Sequence, residues 1–288
     1  MIILKDVDMS KYTTFKAGGH ARRMFVCESE KDIADALAEI KAKKEKYIVL
    51  GNGSNTLVRD TGFSGTVITF GDGFSKINVE GENLECGASA LMSSVAKKAL
   101  EHALTGFEFA AGIPGSIGGA FFMNAGAYGA EIKDIAKSAK VLSYKSGEIE
   151  TLTCDAMGFG YRHSNFQETG DIILSVAISL KGGCRDNIAA EMKELTDRRN
   201  KAQPVNYPSA GSFFKRPEGY FAGKLVQEAG LKGFCIGGAE VSEKHAGFII
   251  NKGNATATDI IDLMELIQEK VYEKFNVTLE PEVRIIGD

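Results

Sequence analysis

The stretch AGIPGSIGG, residues 111–119, is the most informative part of this 288-residue chain, and it continues into NAGAYG, residues 124–129. Clustered glycines mark sharp turns or places where the backbone approaches a ligand closely. A proline lies among the glycines, so the stretch does not match the GxGxxG pattern of a doubly wound dinucleotide-binding sheet. One alternative is a long surface loop. Because loops of this length with many apolar residues are uncommon without a function, we expect the stretch to enclose an extended ligand.

Another glycine-rich motif, LGNGSN at residues 50–55, follows the apolar run Tyr47–Leu50. In chain order it is the first glycine segment, and the stretch from residue 111 is the second. Flexible amides beside short polar side chains suit a pyrophosphate, because both can surround its oxygens without bulky Cβ groups. Taken alone, the motif fits a simple Asn-Gly turn between two strands better. Two such segments in one domain, however, could hold both ends of an extended cofactor.

The composition is that of a globular protein, with 44% hydrophobic and 25% charged residues. A formal net charge of -4 gives no sign of the basic face that nucleic-acid binding usually needs, so no nucleic-acid partner is expected. A local basic cluster, Arg198, Arg199 and Lys201, could still hold a small phosphorylated ligand. The alternative for that cluster is a solvated helix end, and the sequence does not separate the two.

Several signals are missing from the sequence. The start, MIILKDVDMS, lacks the basic and apolar regions of a signal peptide, and no run of 18 apolar residues exists. The five cysteines include no CxxC pair, which argues against a disulfide framework or a zinc site. We therefore expect a cytoplasmic protein with no membrane association and no bound metal.

Apolar periodicity and end signals predict an irregular order of helices and strands, which indicates an α+β fold. Predicted helices cover 29–42 with Ser29 as cap, 89–104 with Leu91, Val95, Ala99 and Ala103 on one face, 187–201, 220–229 ended by Gly230, and 258–275 capped by Thr258. Predicted strands cover 47–50, short segments within 66–86, 139–144, 171–180, 245–251 and 282–286. A composition break at Gly182-Gly183 predicts domains 1–183, with subdomains of about 1–75 and 76–183, and 184–288.

The two glycine segments resemble the FAD domain of the vanillyl-alcohol-oxidase (PCMH) type. With further motifs they resemble one family within it, the UDP-N-acetylenolpyruvoylglucosamine reductases. These motifs run in order along nearly the whole chain: YTTF at 12–15 with Gly18-Gly19, the two glycine segments, YRHS at 161–164, AGSFFK at 210–215, AGLKG at 229–233 and EPEVR at 280–284. Each motif alone is weak, but the ordered set is specific.

The resemblance implies a PCMH-type FAD-binding domain of two subdomains and a C-terminal α+β domain for substrate, whose last strand returns toward the active site. It implies non-covalent FAD, since the first glycine segment has Ser54 and no flavin-linking histidine, and NADPH as hydride donor. The residues implied to bind FAD are Gly51, Asn52, Gly53, Ser54, Asn55, Ile113, Pro114, Gly115, Ser116, Gly118, Gly119, Asn124, Ala125 and Gly126. The short stretch between Arg162 and Ser212 resembles the branch that lacks an inserted, substrate-contacting tyrosine loop.

The resemblance also implies the catalytic residues Arg162, Ser212 and Glu282. A hydride that adds to the terminal carbon of an enolpyruvyl ether leaves an enolate, which must be stabilised and protonated. Ser212 is implied as the proton donor, with Lys215 as a candidate cationic neighbour, and Arg162 can bind the substrate carboxylate as a fork. Glu282 helps only if it is protonated and donates a hydrogen bond.

Each of these residues has a plain structural alternative: a turn serine, a surface ion pair or an edge-strand carboxylate. Tyr161, Arg198, Lys215 and His245 are the expected substrate-binding residues, while Arg216, where the family often has Asn, is left unassigned. The expected substrate is the enolpyruvyl ether of UDP-N-acetylglucosamine, and a monomer is expected.

Two other functions fit parts of the pattern. A sugar or hydroxy-acid oxidase of the same superfamily would carry a flavin-linking histidine and react with oxygen. A non-catalytic nucleotide-sugar-binding protein would carry no flavin, so a visible spectrum would separate it from both enzymes.

Overall fold

The structure is a computed structural model that describes all residues from 1 to 288. It contains seven α-helices: α1 Glu30–Lys43, α2 Met92–Glu101, α3 Ile117–Phe122, α4 Phe166–Thr169, α5 Arg185–Ala202, α6 Ala222–Glu228 and α7 Ala257–Phe275.

The strands are short, and most lie in antiparallel pairs. They are β1 Ile2–Asp8, β2 His20–Cys27, β3 Tyr47–Leu50, β4 Thr56–Val58, β5 Phe63–Phe70, β6 Ile77–Glu80, β7 Asn83–Gly87, β8 Leu104–Thr105, β9 Gly126–Ala127, β10 Ala130–Glu131, β11 Ala136–Leu142, β12 Ile149–Thr153, β13 Ile172–Ser179, β14 Lys181–Gly182, β15 Cys235–Ile236, β16 Ala239–Val241, β17 Ile249–Asn251 and β18 Arg284–Ile286. The mixed content and irregular order confirm the predicted α+β class.

The chain divides into two compact units. The first consists of Met1–Leu4, Met24–Asn52 and Thr66–Arg199, and the second of Lys5–Arg23, Gly53–Gly65 and Asn200–Asp288. Both are therefore assembled from separate chain segments. The sequence-based boundary near residue 183 remains a prediction about domain organisation.

The first unit is built around an antiparallel five-stranded sheet with the order β12-β11-β13-β7-β6. Strand β13 alternates as predicted, and Ile172, Leu174, Val176 and Ile178 are all buried. Helices α2 and α3 add Val95, Ala99, Ile117 and Phe121 to the same core. A smaller core under α1 contains Ile33, Leu37 and Ile40, the positions whose spacing predicts that helix.

The second unit is built around helix α7 and the small sheet β15-β16-β17. The apolar face of α7, with Ile260, Met264, Ile267 and Val271, is buried as its periodicity predicts. Residues from the N-terminal part of the chain belong to this core, because Phe15 and Leu57 pack in it and β4 pairs in parallel with β18.

Helix α7 begins before the position predicted from its sequence. Its cap is Thr256, whose hydroxyl accepts the Asp259 amide while the Asp259 carboxylate accepts the Thr256 amide. This reciprocal capping satisfies two amides at once. Thr258 lies inside the helix, and its hydroxyl donates to the Asp60 carboxylate, so its prediction as the cap is wrong.

Two other predicted elements are shorter than expected. Leu91 precedes α2 in an extended bridge with Ser116, so it is exposed and does not join Val95 and Ala99 on the buried face. The strand predicted for 245–251 is only Ile249–Asn251, because the segment before it turns at His245.

Candidate functional site

The two glycine segments touch within the first unit. A Cβ atom placed on Gly51 would lie 2.5 Å from the Ser116 hydroxyl oxygen, so only glycine fits at this position without displacing Ser116. The same hydroxyl accepts the Gly119 amide at 3.4 Å and caps α3. The motifs that the sequence separates by about 60 residues are therefore neighbours in space.

The backbone amides around this contact are of two kinds. Those of Ile117 and Gly118, at the start of α3, donate to the carbonyls of Ala90 at 2.8 Å and Ala88 at 3.0 Å. This helix end is therefore already satisfied by the protein. The amides of Gly51 and Asn52, by contrast, donate to no protein carbonyl. Small residues beside open amides form the kind of cradle that accepts phosphate oxygens.

Asn124, in the NAGAYG segment, is fully buried, and its side chain forms hydrogen bonds with three other residues. Its amide nitrogen donates to the Glu131 carboxylate at 2.6 Å and to the Gly160 carbonyl at 2.9 Å, and its oxygen accepts the Lys133 amide at 3.0 Å. Its backbone lies in the left-handed region with a φ of 46°, which asparagine tolerates better than most residues. Asn124 thereby connects NAGAYG to the turn that carries YRHS.

Arg162 is held beside the same segment. Its guanidinium donates to the Gly126 carbonyl at 3.0 Å and lies over the Tyr161 ring at 5.4 Å. Its backbone also adopts a left-handed conformation, with a φ of 54°. The tight β9–β10 hairpin presents Gly126, because Tyr128 and Gly129 at its turn both have positive φ. Two motifs predicted from the sequence thus form one structure around Arg162.

Helix α5 is attached to this hairpin through Tyr128. The Tyr128 hydroxyl donates to the Leu195 carbonyl at 3.0 Å, and the exposed Arg198 guanidinium lies over the Tyr128 ring at 5.3 Å. The next residue, Arg199, is half-buried and packs on Gly112, where an added Cβ would stand 3.1 Å from its Cδ. The expected substrate residue Arg198 and the unassigned Arg199 therefore have different surroundings.

In the second unit, the end of the LGNGSN motif packs on the YTTF segment. Gly53 has a φ of 62°, and a Cβ there would lie 2.0 Å from the Tyr12 carbonyl oxygen. The Thr14 amide donates to the Gly53 carbonyl, and its hydroxyl donates to the Ser209 carbonyl at 2.6 Å. The YTTF motif thus supports both the glycine turn and the approach to AGSFFK.

Ser212 lies on a segment that pairs with EPEVR. The Glu282 amide donates to the Phe213 carbonyl at 2.8 Å, and the Lys215 amide donates to the Glu280 carbonyl at 2.8 Å. Phe213 is completely buried, whereas Ser212 is exposed and its hydroxyl makes no hydrogen bond within the protein. The preceding Gly211 has a φ of 80°, a conformation that favours glycine.

Glu282 is half-buried, and its backbone carbonyl accepts the Asn55 side-chain amide at 3.0 Å. The Arg284 amide donates in turn to the Asn55 carbonyl at 3.0 Å. Asn55, expected to contact a cofactor, therefore also fixes the segment that carries Glu282. Within the second unit the structure brings Asn55, Ser212 and Glu282 onto connected segments.

The other expected substrate residues have defined partners. Lys215 forms an ion pair with the Glu280 carboxylate at 3.3 Å. The His245 Nδ1 accepts the Gly247 amide at 3.1 Å, and burial lowers the pKa of this imidazole. His245 is therefore a neutral ring whose Nε2–H can donate. Arg216 lies over the Phe221 ring at 4.0 Å.

Sequence reasoning does not find every supporting residue. Nothing in the sequence indicates that the Ala88 and Ala90 carbonyls receive the α3 amides, since such pairing depends on tertiary structure. The contact of Arg199 with Gly112 likewise has no local signal. Thr256 does have one, the spacing Thr-x-x-Asp before an apolar run.

No group of three or more His, Cys, Asp or Glu side chains is arranged to hold a metal ion. None of the helices is both long enough and apolar enough to cross a membrane.

Comparisons with known proteins identify the two parts of the chain. Residues 21–153 match the family model for an FAD binding domain, and residues 203–286 match that for the UDP-N-acetylenolpyruvoylglucosamine reductase C-terminal domain. The UDP-N-acetylenolpyruvoylglucosamine reductase of Alkaliphilus oremlandii is 47% identical over 287 residues, covering 100% of this chain and 94% of the relative. That of Latilactobacillus sakei is 50% identical over 279 residues, covering 97% of this chain and 91% of the relative.

The crystal structure of UDP-N-acetylenolpyruvylglucosamine reductase from Thermus caldophilus is similar over the whole length. It superposes with a TM-score of 0.86 at 34% identity and covers 99% of both chains.

Proposed function

The chain belongs to the UDP-N-acetylenolpyruvoylglucosamine reductase family, and on that premise we propose that it uses NADPH to reduce the enolpyruvyl ether of UDP-N-acetylglucosamine. The product is the lactyl ether, UDP-N-acetylmuramate, used in peptidoglycan synthesis. The observation that carries this proposal is the pairing of the Ser212 segment with the Glu282 segment. It connects a free hydroxyl and a half-buried carboxyl that are far apart in sequence.

The protein is an FAD-dependent oxidoreductase, and its first unit fits the cofactor. The Gly51–Ser116 contact leaves no room for a Cβ, and the Gly51 and Asn52 amides are available for phosphate oxygens. The FAD held by these residues would supply hydride transfer from NADPH to the enolpyruvyl group. The first glycine segment has Ser54 and no histidine, so we propose that FAD is held without a covalent link.

Ser212 is proposed to protonate the carbon that becomes an enolate after hydride addition. Its hydroxyl is exposed and unbonded within the protein, so it can donate to a substrate atom. A serine hydroxyl is a weak acid and protonates efficiently only where neighbouring groups stabilise the oxygen that it leaves. The amide pairing on either side of Phe213 fixes the backbone from which the hydroxyl points.

Arg162 and Glu282 are proposed to stabilise the negative charge of the enolate. Arg162 carries a planar guanidinium that can bind a carboxylate with two parallel hydrogen bonds. Its bond to the Gly126 carbonyl orients the guanidinium plane. Glu282 contributes if its carboxyl is protonated, since a neutral carboxyl donates a hydrogen bond while a carboxylate would repel the enolate.

Substrate recognition is proposed to involve Tyr161, Arg198, Lys215 and His245. Tyr161 and Arg198 are exposed, while the neutral His245 can offer a hydrogen bond rather than a charge. The proposal places a monomeric enzyme in the cytoplasm, where NADPH and nucleotide sugars are found.

The proposal is tested by steady-state turnover with product identification. NADPH should be consumed only with the enolpyruvyl ether and not with UDP-N-acetylglucosamine, and the product should gain two hydrogen atoms by mass spectrometry. Because one flavin serves both reactants in turn, double-reciprocal plots should be parallel. Intersecting lines that persist after correction for substrate inhibition would contradict this ping-pong use of one flavin. No consumption of NADPH would refute the activity.

A further inference from the structure

Arg199 stands out because it is a half-buried cation without a protein partner. Its guanidinium forms no hydrogen bond, ion pair or ring contact with the protein, although its neighbour Arg198 lies over Tyr128. Burial lowers the pKa of the Arg199 guanidinium. No carboxylate compensates the charge, and an uncompensated buried charge is costly.

The position of Arg199 indicates which ligand would compensate that charge. Its side chain packs on Gly112, and a Cβ there would stand 3.1 Å from the Arg199 Cδ. Gly112 is the first glycine of the second glycine segment, whose Ser116 contacts Gly51 of the first segment. Arg199 therefore lies against the segment that the cofactor cradle uses, within the same unit.

Arg199 lies between the two regions of the chain that match family models. The FAD binding domain covers residues 21–153 and the C-terminal domain residues 203–286, so helix α5 falls between them. By contacts, the helix belongs to the first unit as far as Arg199. The sequence alone leaves two interpretations of the basic cluster, which are the binding of a substrate phosphate and a solvated helix end. The contacts of Arg199 favour a third interpretation, in which it binds a phosphate of the cofactor.

We propose that Arg199 binds the pyrophosphate of FAD. The group supplies two negative charges beside a glycine segment, and a guanidinium matches phosphate oxygens with its planar fork of donors. Glycine at position 112 allows the aliphatic stem of Arg199 to lie close to the backbone of the segment. The inference rests on the FAD dependence in the proposed function and assigns one of the cofactor's ligands.

The test compares FAD binding to apoprotein variants by quenching of flavin fluorescence. Arg199→Met keeps the aliphatic stem on Gly112 and removes the charge, so the dissociation constant should rise by about 10- to 100-fold, the worth of one charge-assisted hydrogen bond. Arg199→Lys should retain more affinity than Arg199→Met, because it keeps a positive charge. Arg185→Met, at the exposed start of α5, is the matched control and should bind FAD like the wild type.

Further readouts distinguish the pyrophosphate from other ligands. The midpoint potential of the FAD-saturated Arg199→Met protein should equal that of the wild type, because the pyrophosphate is remote from the redox-active ring. Unchanged FAD affinity, equal losses in Arg185→Met and Arg199→Met, a shifted potential, or an effect confined to the KM of the nucleotide sugar would each overturn the assignment. Arg199→Gln, checked by urea unfolding, provides a second charge-removing variant if Arg199→Met does not fold. A wild-type protein that binds no FAD would instead refute the proposed function.

Discussion

Several site residues occupy backbone conformations that most side chains avoid. Asn124 and Arg162 have φ values of 46° and 54°, and Gly211, beside Ser212, has 80°. Left-handed conformations of non-glycine residues are uncommon and persist only where the surroundings enforce them. The hydrogen bonds of Asn124 to Gly160 and of Arg162 to Gly126 provide that enforcement. The positions of the guanidinium and the hydroxyl are therefore set by backbone turns rather than by regular elements.

Replacement of Ser212 by alanine should slow one half-reaction and leave the other nearly intact. The proposed role gives Ser212 no part in binding FAD or in receiving hydride from NADPH, so flavin reduction should stay close to the wild-type rate. Reoxidation by the enolpyruvyl ether should slow by about 10²–10⁴-fold or more, the usual contribution of a general acid. Ser212→Cys should lose less than Ser212→Ala, because a thiol can also donate a proton.

Anaerobic stopped-flow absorbance separates these two halves. Equal slowing of both would mean that Ser212 shapes the flavin site. An unchanged second half would remove it as the acid and point to Glu282 or a bound water.

Removal of the Asn124 side chain should destabilise the protein, because buried polar groups would lose their hydrogen-bond partner. Asn124→Ala leaves the Lys133 amide and the Gly160 carbonyl without their buried partner and should lower the free energy of unfolding by about 2–4 kcal/mol. Asn124→Gly tolerates the positive φ but loses the same bonds, so it should also be destabilised. Asn276→Ala is the control for the cost of placing alanine at a positive φ, since Asn276 has a φ of 55° at an exposed helix end. Urea unfolding in which Asn124→Gly matched the wild type would show that the hydrogen bonds contribute little.

At the scale of elements, the sequence predicts what local periodicity and capping control. Helix α1 and strand β3 lie where their apolar spacing places them, and Ser29 caps α1 as expected. Leu91 is misassigned because its partner, Ser116, is distant in sequence and no local pattern reports their bridge. Thr258 is misassigned because a nearby threonine at Thr256 makes a reciprocal cap that was readable from the spacing to Asp259.

The same reasoning applies to the candidate site. The motifs reveal which residues are candidates, and they predict only that the two glycine segments share one ligand. The direct contact of Gly51 with Ser116 is a tertiary feature that the sequence does not predict. The partners that hold those candidates, such as Gly126 for Arg162 or Asn55 for the Glu282 segment, come from tertiary pairing and have no local signature.

The capping of α7 can be measured directly. Thr256→Ala removes the oxygen that accepts the Asp259 amide and should lower the free energy of unfolding by about 1 kcal/mol. Thr278→Ala makes the same change at an exposed position without a side-chain hydrogen bond and should fall within about 0.5 kcal/mol of the wild type. If urea unfolding gave equal losses for both variants, Thr256 would not be the effective cap.

For the whole molecule, the segmented construction of the two units explains why the motifs are spread along nearly the entire chain. The second unit combines Lys5–Arg23, Gly53–Gly65 and Asn200–Asp288, so YTTF, the end of the first glycine segment and AGSFFK belong to one folded body. The division passes through LGNGSN between Asn52 and Gly53. Loss of either unit would therefore remove part of this motif, and we expect neither sequence half to retain activity.

FAD should be removable from the purified protein without breaking a covalent bond. The protein should be yellow, and denaturation should release all of the flavin as FAD, because the first glycine segment has Ser54 in place of a linking histidine. Refolded apoprotein should regain its visible spectrum with added FAD, and its melting temperature should rise with FAD concentration by mass action. Flavin that stays with the peptide, flavin released as FMN, or no uptake of FAD would contradict this prediction.

The most direct test of the central claim is a single turnover of the wild-type protein followed in two steps. The FAD-loaded protein is first reduced under anaerobic conditions with one equivalent of NADPH, which should bleach the flavin absorbance. The enolpyruvyl ether of UDP-N-acetylglucosamine is then added, and the account predicts full return of the absorbance with one equivalent of UDP-N-acetylmuramate per flavin. A flavin that remains reduced in the presence of this substrate, or that reoxidises only when oxygen is admitted, would contradict the assignment.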